Sequence, residues 1–202
     1  MSNEESVDLR VKRTKRLIRD AFVELLQEKN LNKISVNSLA KRAEINRVTF
    51  YLHYKDIHDM MRKIVDELIA DIKEILQSIY DDPYDPGYEL STLTVLLEYI
   101  AKHSHVYKTF LVYGNLPRFK EKLMDFLYDS IVDVTEEQSQ KKIDSFPGMN
   151  ISKDIAAWYG TSALVGTIAI WLGNDMPYRP KHLAEQLVKL NPFRPEYHEK
   201  NI

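Results

Sequence analysis

An all-α fold follows from three features of the sequence. Apolar residues recur at intervals of three and four through nearly every long segment, as one face of a helix requires. No segment of useful length shows the period of two that marks a half-buried strand. The helical runs are punctuated by proline, glycine and asparagine clusters at 81–87, 114–117, 146–148 and 173–175. No internal repeat is visible. At 202 residues the chain is long enough for a sizeable core and one or two domains.

Residues 1–8 are polar, and disorder is expected there. The first helix then carries Leu17, Ile18, Ala21, Phe22, Leu25 and Leu26 as an inward stripe. Between Arg10 and Arg19 there are six basic residues and no acidic one. Such a run is often only the solvated face of a helix. Here it leads into 35–56, which has the pattern of two short helices around a tight reversal. In the first of these, Val36, Leu39, Ala40 and Ala43 repeat at helical spacing, and the Ser35 hydroxyl is placed to cap free backbone N–H groups. Glu44-Ile45-Asn46 leaves room only for a sharp turn, and Asn46 can cap the second helix, 47–54. Ile45 and Phe50 can turn inward, which leaves Arg47, Thr49, Tyr51 and His53 facing outward. A helix of eight residues spans about 12 Å, close to the width of a DNA major groove. This is the geometry of a helix-turn-helix.

Charge agrees with that placement. The whole chain has net charge −2, but residues 1–55 carry +5 and residues 56–202 carry −7. Positive charge is thus gathered where phosphates would be met. Arg47 can donate two parallel hydrogen bonds to guanine. Thr49 suits a phosphate or a thymine methyl. Ser35, Asn37 and Lys55 flank the groove as phosphate contacts, with Arg10, Lys12 and Arg13 as a leading arm. Core packing is the competing role for Tyr51, and a structural one for His53.

A long helix is expected from Asp56, capped by that residue, with Ile57, Met60, Met61, Ile64, Val65, Leu68, Ile72, Ile75, Leu76 and Ile79 as its apolar series. Because it begins two residues beyond Tyr54, its rotation must move the reading helix. The DDPYDPG segment at 81–87 has three carboxylates, but their number and spacing are poor for calcium, and a solvated turn is expected. Helices follow at 90–103, 106–112, 119–134, 152–172 and 177–190, with a loose tail at 191–202. Residues 155–172 contain no formal charge and reach the lower limit for crossing a bilayer. Gly160, Thr161, Ser162, Gly166 and Thr167 dilute the run and no basic loop flanks it. A helix buried on nearly all sides in a helical domain, or at a subunit interface, is the expectation, and no membrane partner.

The run Thr49-Phe50-Tyr51-Leu52-His53-Tyr54, preceded by Leu39-Ala40-Lys41-Arg42-Ala43 and Ile45-Asn46, resembles the DNA-binding domain of the TetR family of bacterial transcriptional regulators. Trp158, Gly160, Gly166, Trp171 and Met176-Pro177-Tyr178, in that order, are similar to C-terminal regions common in Firmicutes members, the glycerone kinase regulators among them. The resemblance implies a DNA-binding domain at 8–56 and a helical ligand-binding and dimerisation domain at 57–202. It implies backbone phosphate contacts for Tyr51 and His53, with Tyr51 sometimes reaching a base. It implies a homodimer on a near-palindromic double-stranded operator, joined through the last two helices. Gly160, Ala163 and Gly166 would allow close approach there, with Ile170, Leu183 and Leu187 beside them; the other possibility is that this helix lies wholly inside one subunit. A small-molecule effector would lower DNA affinity from a cavity with Tyr99, His103, Tyr107, Phe110, Phe126 and Trp158 as candidate lining, though plain core is the competing role for each. A repressor is expected. Two departures stand out. Glu44 occupies a position where the family usually has glycine, tolerable if that residue stays out of the left-handed region. Ile57 stands where a phosphate-contacting lysine is common, and Lys55 is its candidate replacement.

Two other function classes compete. An enzyme has little in its favour: there is no phosphate-cradling glycine loop, no cysteine, and the six histidines are scattered. His103 and His105 are two apart, on different sides of a helix, so neither a metal site nor a cofactor is expected. The second rival is a regulator acting chiefly through a protein partner, its DNA contacts weakened by Glu44 and Ile57. The N-terminus has no basic region followed by an apolar run, and without cysteines there is no disulfide framework, so a cytoplasmic location is expected.

Overall fold

The computed structural model describes residues 3–79, 87–113, 117–139 and 152–190. Every regular element among them is helical. In order they are α1 (Asn3–Glu28), a 3-10 turn (Leu31–Lys33), α2 (Val36–Arg42), α3 (Arg47–His53), α4 (Ile57–Gln77), α5 (Tyr88–Lys102), α6 (Ser104–Lys108) running into a turn of π-helix (Thr109–Tyr113), α7 (Pro117–Ser139), α8 (Lys153–Gly173) and α9 (Pro180–Leu190). The turns expected at 81–86, 114–116 and 146–148, and the tail at 191–202, lie outside the described residues. The backbone of α1 begins at Asn3, so residues 3–8 are helical where disorder was expected. Arg10, Lys12 and Arg13, expected as a leading arm, accordingly stand within α1.

The chain folds into two compact units, Met1–Ala70 with His105–Leu116, and Asp71–Ser104 with Pro117–Ile202. The first is closed around Ile18, Phe22, Leu39, Phe50, Met60 and Ile64, each wholly buried. Phe110 joins this core, its ring 6.3 Å from Phe22 in an edge-on arrangement, and the Gln27 side-chain amide donates to the Thr109 hydroxyl at 3.1 Å. Leu17, expected to point inward, is 38% exposed. Its neighbour Ile18 is wholly buried, and Ala21, Phe22, Leu25 and Leu26 of the same stripe are buried too.

In the second unit α5 packs on α9 and α7 on α8. Leu183, Ala184 and Val188 are the buried residues of α9, so Leu183, expected at a subunit interface, belongs to the interior of this unit. By length and composition α8 is apolar enough to cross a membrane, but its two faces differ. Ala157, Thr161, Val165, Ile168 and Leu172 are buried, whereas Ile155, Trp158, Tyr159 and Ile170 are more than half exposed. The helix is therefore not covered on nearly all sides within its own chain. Uniform apolarity in sequence could not reveal this, because a helix apolar all round has no periodicity from which to read its buried side.

Candidate nucleic-acid interface

The interface is assembled from α2, α3 and the first turn of α4. The Ser35 hydroxyl accepts from the Ser38 amide at 3.2 Å while the Ser38 hydroxyl accepts from the Ser35 amide at 3.0 Å. This reciprocal box fixes the start of α2. At its other end the Ile45 amide donates to the Ala40 carbonyl at 3.0 Å and the Glu44 amide to the Lys41 carbonyl at 3.3 Å. These are the two bonds of a Schellman cap, which requires its C′ residue to be left-handed. Glu44 is that residue, with φ 54°. The condition under which glutamate was tolerable at this position, a backbone outside the left-handed region, is therefore not met. The cap geometry that reverses the chain dictates the conformation, and a residue with a Cβ bears the strain. The same device recurs after α8, where the Met176 amide reaches the Trp171 carbonyl at 2.9 Å and Asp175 takes φ 56°.

Asn46 then caps α3, its side-chain oxygen accepting from the Val48 amide at 2.9 Å. Phe50 is the buried anchor of this helix. Its burial turns Arg47 and Tyr51 outward together, since they lie one turn apart. The Arg47 guanidinium stands 6.0 Å from the Tyr51 ring centroid, with a nitrogen 3.5 Å from the phenolic oxygen. Tyr51 is 49% exposed and packs edge-on against Phe50 with ring centroids 5.5 Å apart. The ring thus rests on Phe50 while about half of the residue stays exposed. Thr49 and His53 are half-buried, and Asn37 and Lys55 are exposed. Ser35 is exposed and also committed as a cap. Arg10, Lys12 and Arg13 are exposed on α1.

The end of α3 is tied to α4 by a small ionic cluster, of which the sequence had disclosed the Asp56 cap but not the contacts of Lys63. Asp56 caps α4 by accepting from the Asp59 amide at 2.7 Å. Asp59, buried, accepts from the Lys55 amide, Arg62 and Lys63, each at 3.1 Å. Lys63 also donates to the His53 carbonyl at 3.0 Å. One ammonium thus bridges the last residue of α3 and the first turn of α4. The Lys55 amide, with the ammonium of Lys63, holds the Asp59 carboxyl below the usual carboxylate range. Burial, reinforced by Lys15 and Lys63, pushes the His53 imidazole below its ordinary value, which leaves it neutral near pH 7. Burial beside Glu67 pushes the Tyr54 phenol up to about 12, so Tyr54 is a neutral core residue. Arg42 is engaged by Glu24 at 3.0 Å and Glu28 at 2.8 Å, and its hydrogen bond lowers the Glu28 carboxyl.

Comparison with known proteins bears on the family. The TetR-type model described as "Transcriptional regulator C-terminal region" matches residues 90–192, about half of the chain. The chain belongs to the TetR family of transcriptional regulators. Over 88% of this chain and 88% of the relative it is 24% identical to DhaS of Lactococcus lactis, a transcriptional activator of the dhaKLM operon. It is 21% identical to the HTH-type regulator YxbF of Bacillus subtilis over 86% of this chain, which spans only 43% of that relative's length. The structure of a TetR-family regulator from Syntrophomonas wolfei superposes with a TM-score of 0.72 at 14% identity, covering 89% of this chain and 93% of that one. A TetR-family chain is a helix-turn-helix regulator and not an enzyme.

The residues expected to line a TetR-type effector cavity are divided between the two compact units. Tyr107 and Phe110 are fully buried in the first. In the second, the Tyr99 and His103 rings lie 4.6 Å apart and the Tyr99 hydroxyl donates to Asp71 at 2.9 Å. Asp71 is a polar partner that sequence spacing had not singled out. Phe126 is half-buried, and Trp158, expected to line a cavity, is 59% exposed on α8.

Proposed function

We propose that this TetR-family regulator is a cytoplasmic homodimer that binds a near-palindromic DNA operator through α3, and that a small-molecule effector lowers its operator affinity and thereby relieves repression. The observation that carries the reading is the outward pairing of Arg47 and Tyr51 on a helix anchored behind by Phe50. Arg47 would supply base readout, while Tyr51, His53, Lys55, Ser35, Asn37 and the basic residues of α1 would hold phosphates; phosphate contacts set position and base contacts set sequence preference. Residues 8–56 would be the reading division and 57–202 the regulatory one. The exposed apolar face of α8, with Gly160, Ala163, Gly166 and Ile170, supports the dimer. A Cβ placed on either glycine would meet nothing within 4 Å inside the chain, so the open surface there is available to a second subunit. Leu187, half-buried on α9, would lie at the edge of that contact.

Two further readings have specific support. DhaS is an activator, and a dimer that binds beside a promoter without blocking it would give the same outcome here. The strained Glu44 and the absence of a lysine at Ile57 keep open action through a protein partner with weakened DNA contacts. Binding of the full chain to generic duplex DNA across salt concentrations separates that last reading from the first. A DNA reader loses about 0.9 log units of affinity per log unit of salt for each phosphate neutralised; binding that is absent, or indifferent to salt, would favour the partner reading.

A further inference from the structure

Val48 and Leu52 are 65% and 76% exposed on α3. They lie four residues apart, so both stand on one face, their Cβ atoms about 5–6 Å from each other. Single exposed hydrocarbons are ordinary on protein surfaces, and exposure alone decides nothing. The surroundings do. Each is the chain neighbour of a member of the outward Arg47–Tyr51 pair, and the N-terminal 55 residues around them carry net charge +5. An occupant of this surface must offer anions at its margin and apolar groups within. An anionic membrane would need a longer apolar stripe than two side chains. The DNA major groove meets both conditions, because its only apolar group is the thymine C5 methyl, set between two phosphate backbones.

We propose that Val48 and Leu52 are specificity residues that read thymine methyl groups, so that each half-site carries thymines about two base pairs apart. Four residues of helix advance about 6 Å, and successive base pairs about 3.4 Å. This inference rests on α3 being the reading helix of a DNA-binding protein. It adds that part of its sequence preference comes from hydrocarbon contact, where Arg47 supplies hydrogen bonds.

The test uses the full-length protein and duplexes that it enriches from a random pool. Thymines in both half-sites are replaced one position at a time by uracil, which keeps every hydrogen-bonding group and lacks only the methyl. Wild-type protein should lose affinity about four-fold per methyl removed, hence about 15-fold for a symmetric pair, from the transfer free energy of a buried methyl. V48A should abolish the effect at one position and L52A at another. Uracil that is neutral at every position would overturn the inference while leaving operator binding intact. A methyl dependence that persists in both variants would overturn it too, assigning the methyls to other residues. If L52A instead changes the oligomeric state with no methyl dependence in the wild type, the patch is a contact between protein copies and the inference falls. Failure to enrich any duplex would remove the DNA-reading assignment itself, which is a different failure and recognisable as such.

Discussion

At Glu44 a left-handed backbone is held by a residue poorly suited to it. A Cβ in that conformation costs about 1–2 kcal/mol, and glycine would recover most of it at an entropic cost of about 0.5–1 kcal/mol. Glu44→Gly should therefore stabilise the first unit by roughly 0.5–1 kcal/mol, read as a higher denaturation midpoint with an unchanged slope. Asp59 makes a second prediction at this scale. Its carboxyl is lowered in the folded chain, so the stability it confers is full above the ordinary value of 3.8 and is lost as pH falls through the folded value. Asp59→Asn should be less stable at neutral pH and lose less on acidification below about pH 4, as followed by thermal unfolding. His53 titrates the other way. It is neutral in the free protein, and a phosphate beside it would favour the charged form, so operator affinity should rise from pH 8 to pH 6 in the wild type and stay flatter in His53→Gln.

Among the elements, α3 is the one on which the account depends. Phe50→Ala should cost about 3–5 kcal/mol by leaving a cavity behind the helix, and binding to every duplex should fall with it. Arg47→Ala should leave folding intact and relax preference at one operator position by about 1–3 kcal/mol. Lys55→Ala should weaken all duplexes alike and reduce the salt slope by about one. Both helices of this motif were legible in the sequence because each carries its own cap, Ser35 and Asn46, and its own inward anchor, Leu39 with Ala40 in α2 and Phe50 in α3. What the sequence withheld was set by contacts between segments. The Lys63 bridge to the His53 carbonyl has no local pattern, and the strain at Glu44 follows from the 6→1 hydrogen bond to Ala40, which composition does not announce. The inward direction of Leu183 and the half-exposure of α8 likewise depend on which helices they meet.

For the whole molecule the claim is one of duplication. A single α3 would touch too few base pairs for useful specificity, and in the proposed dimer a second copy related by two-fold symmetry would supply the rest. The exposed face of α8 is the surface proposed for this. Ile170→Asp, which alters a side chain exposed within the subunit, should give a folded monomer in sedimentation and lose high-affinity operator binding. Selection of duplexes from a random pool by the full-length protein tests the central claim most directly. The account predicts an inverted pair of short motifs whose centres lie one helical turn, about 10 base pairs, or a multiple of it apart. Enrichment of a single unpaired motif, or of no motif, would contradict it.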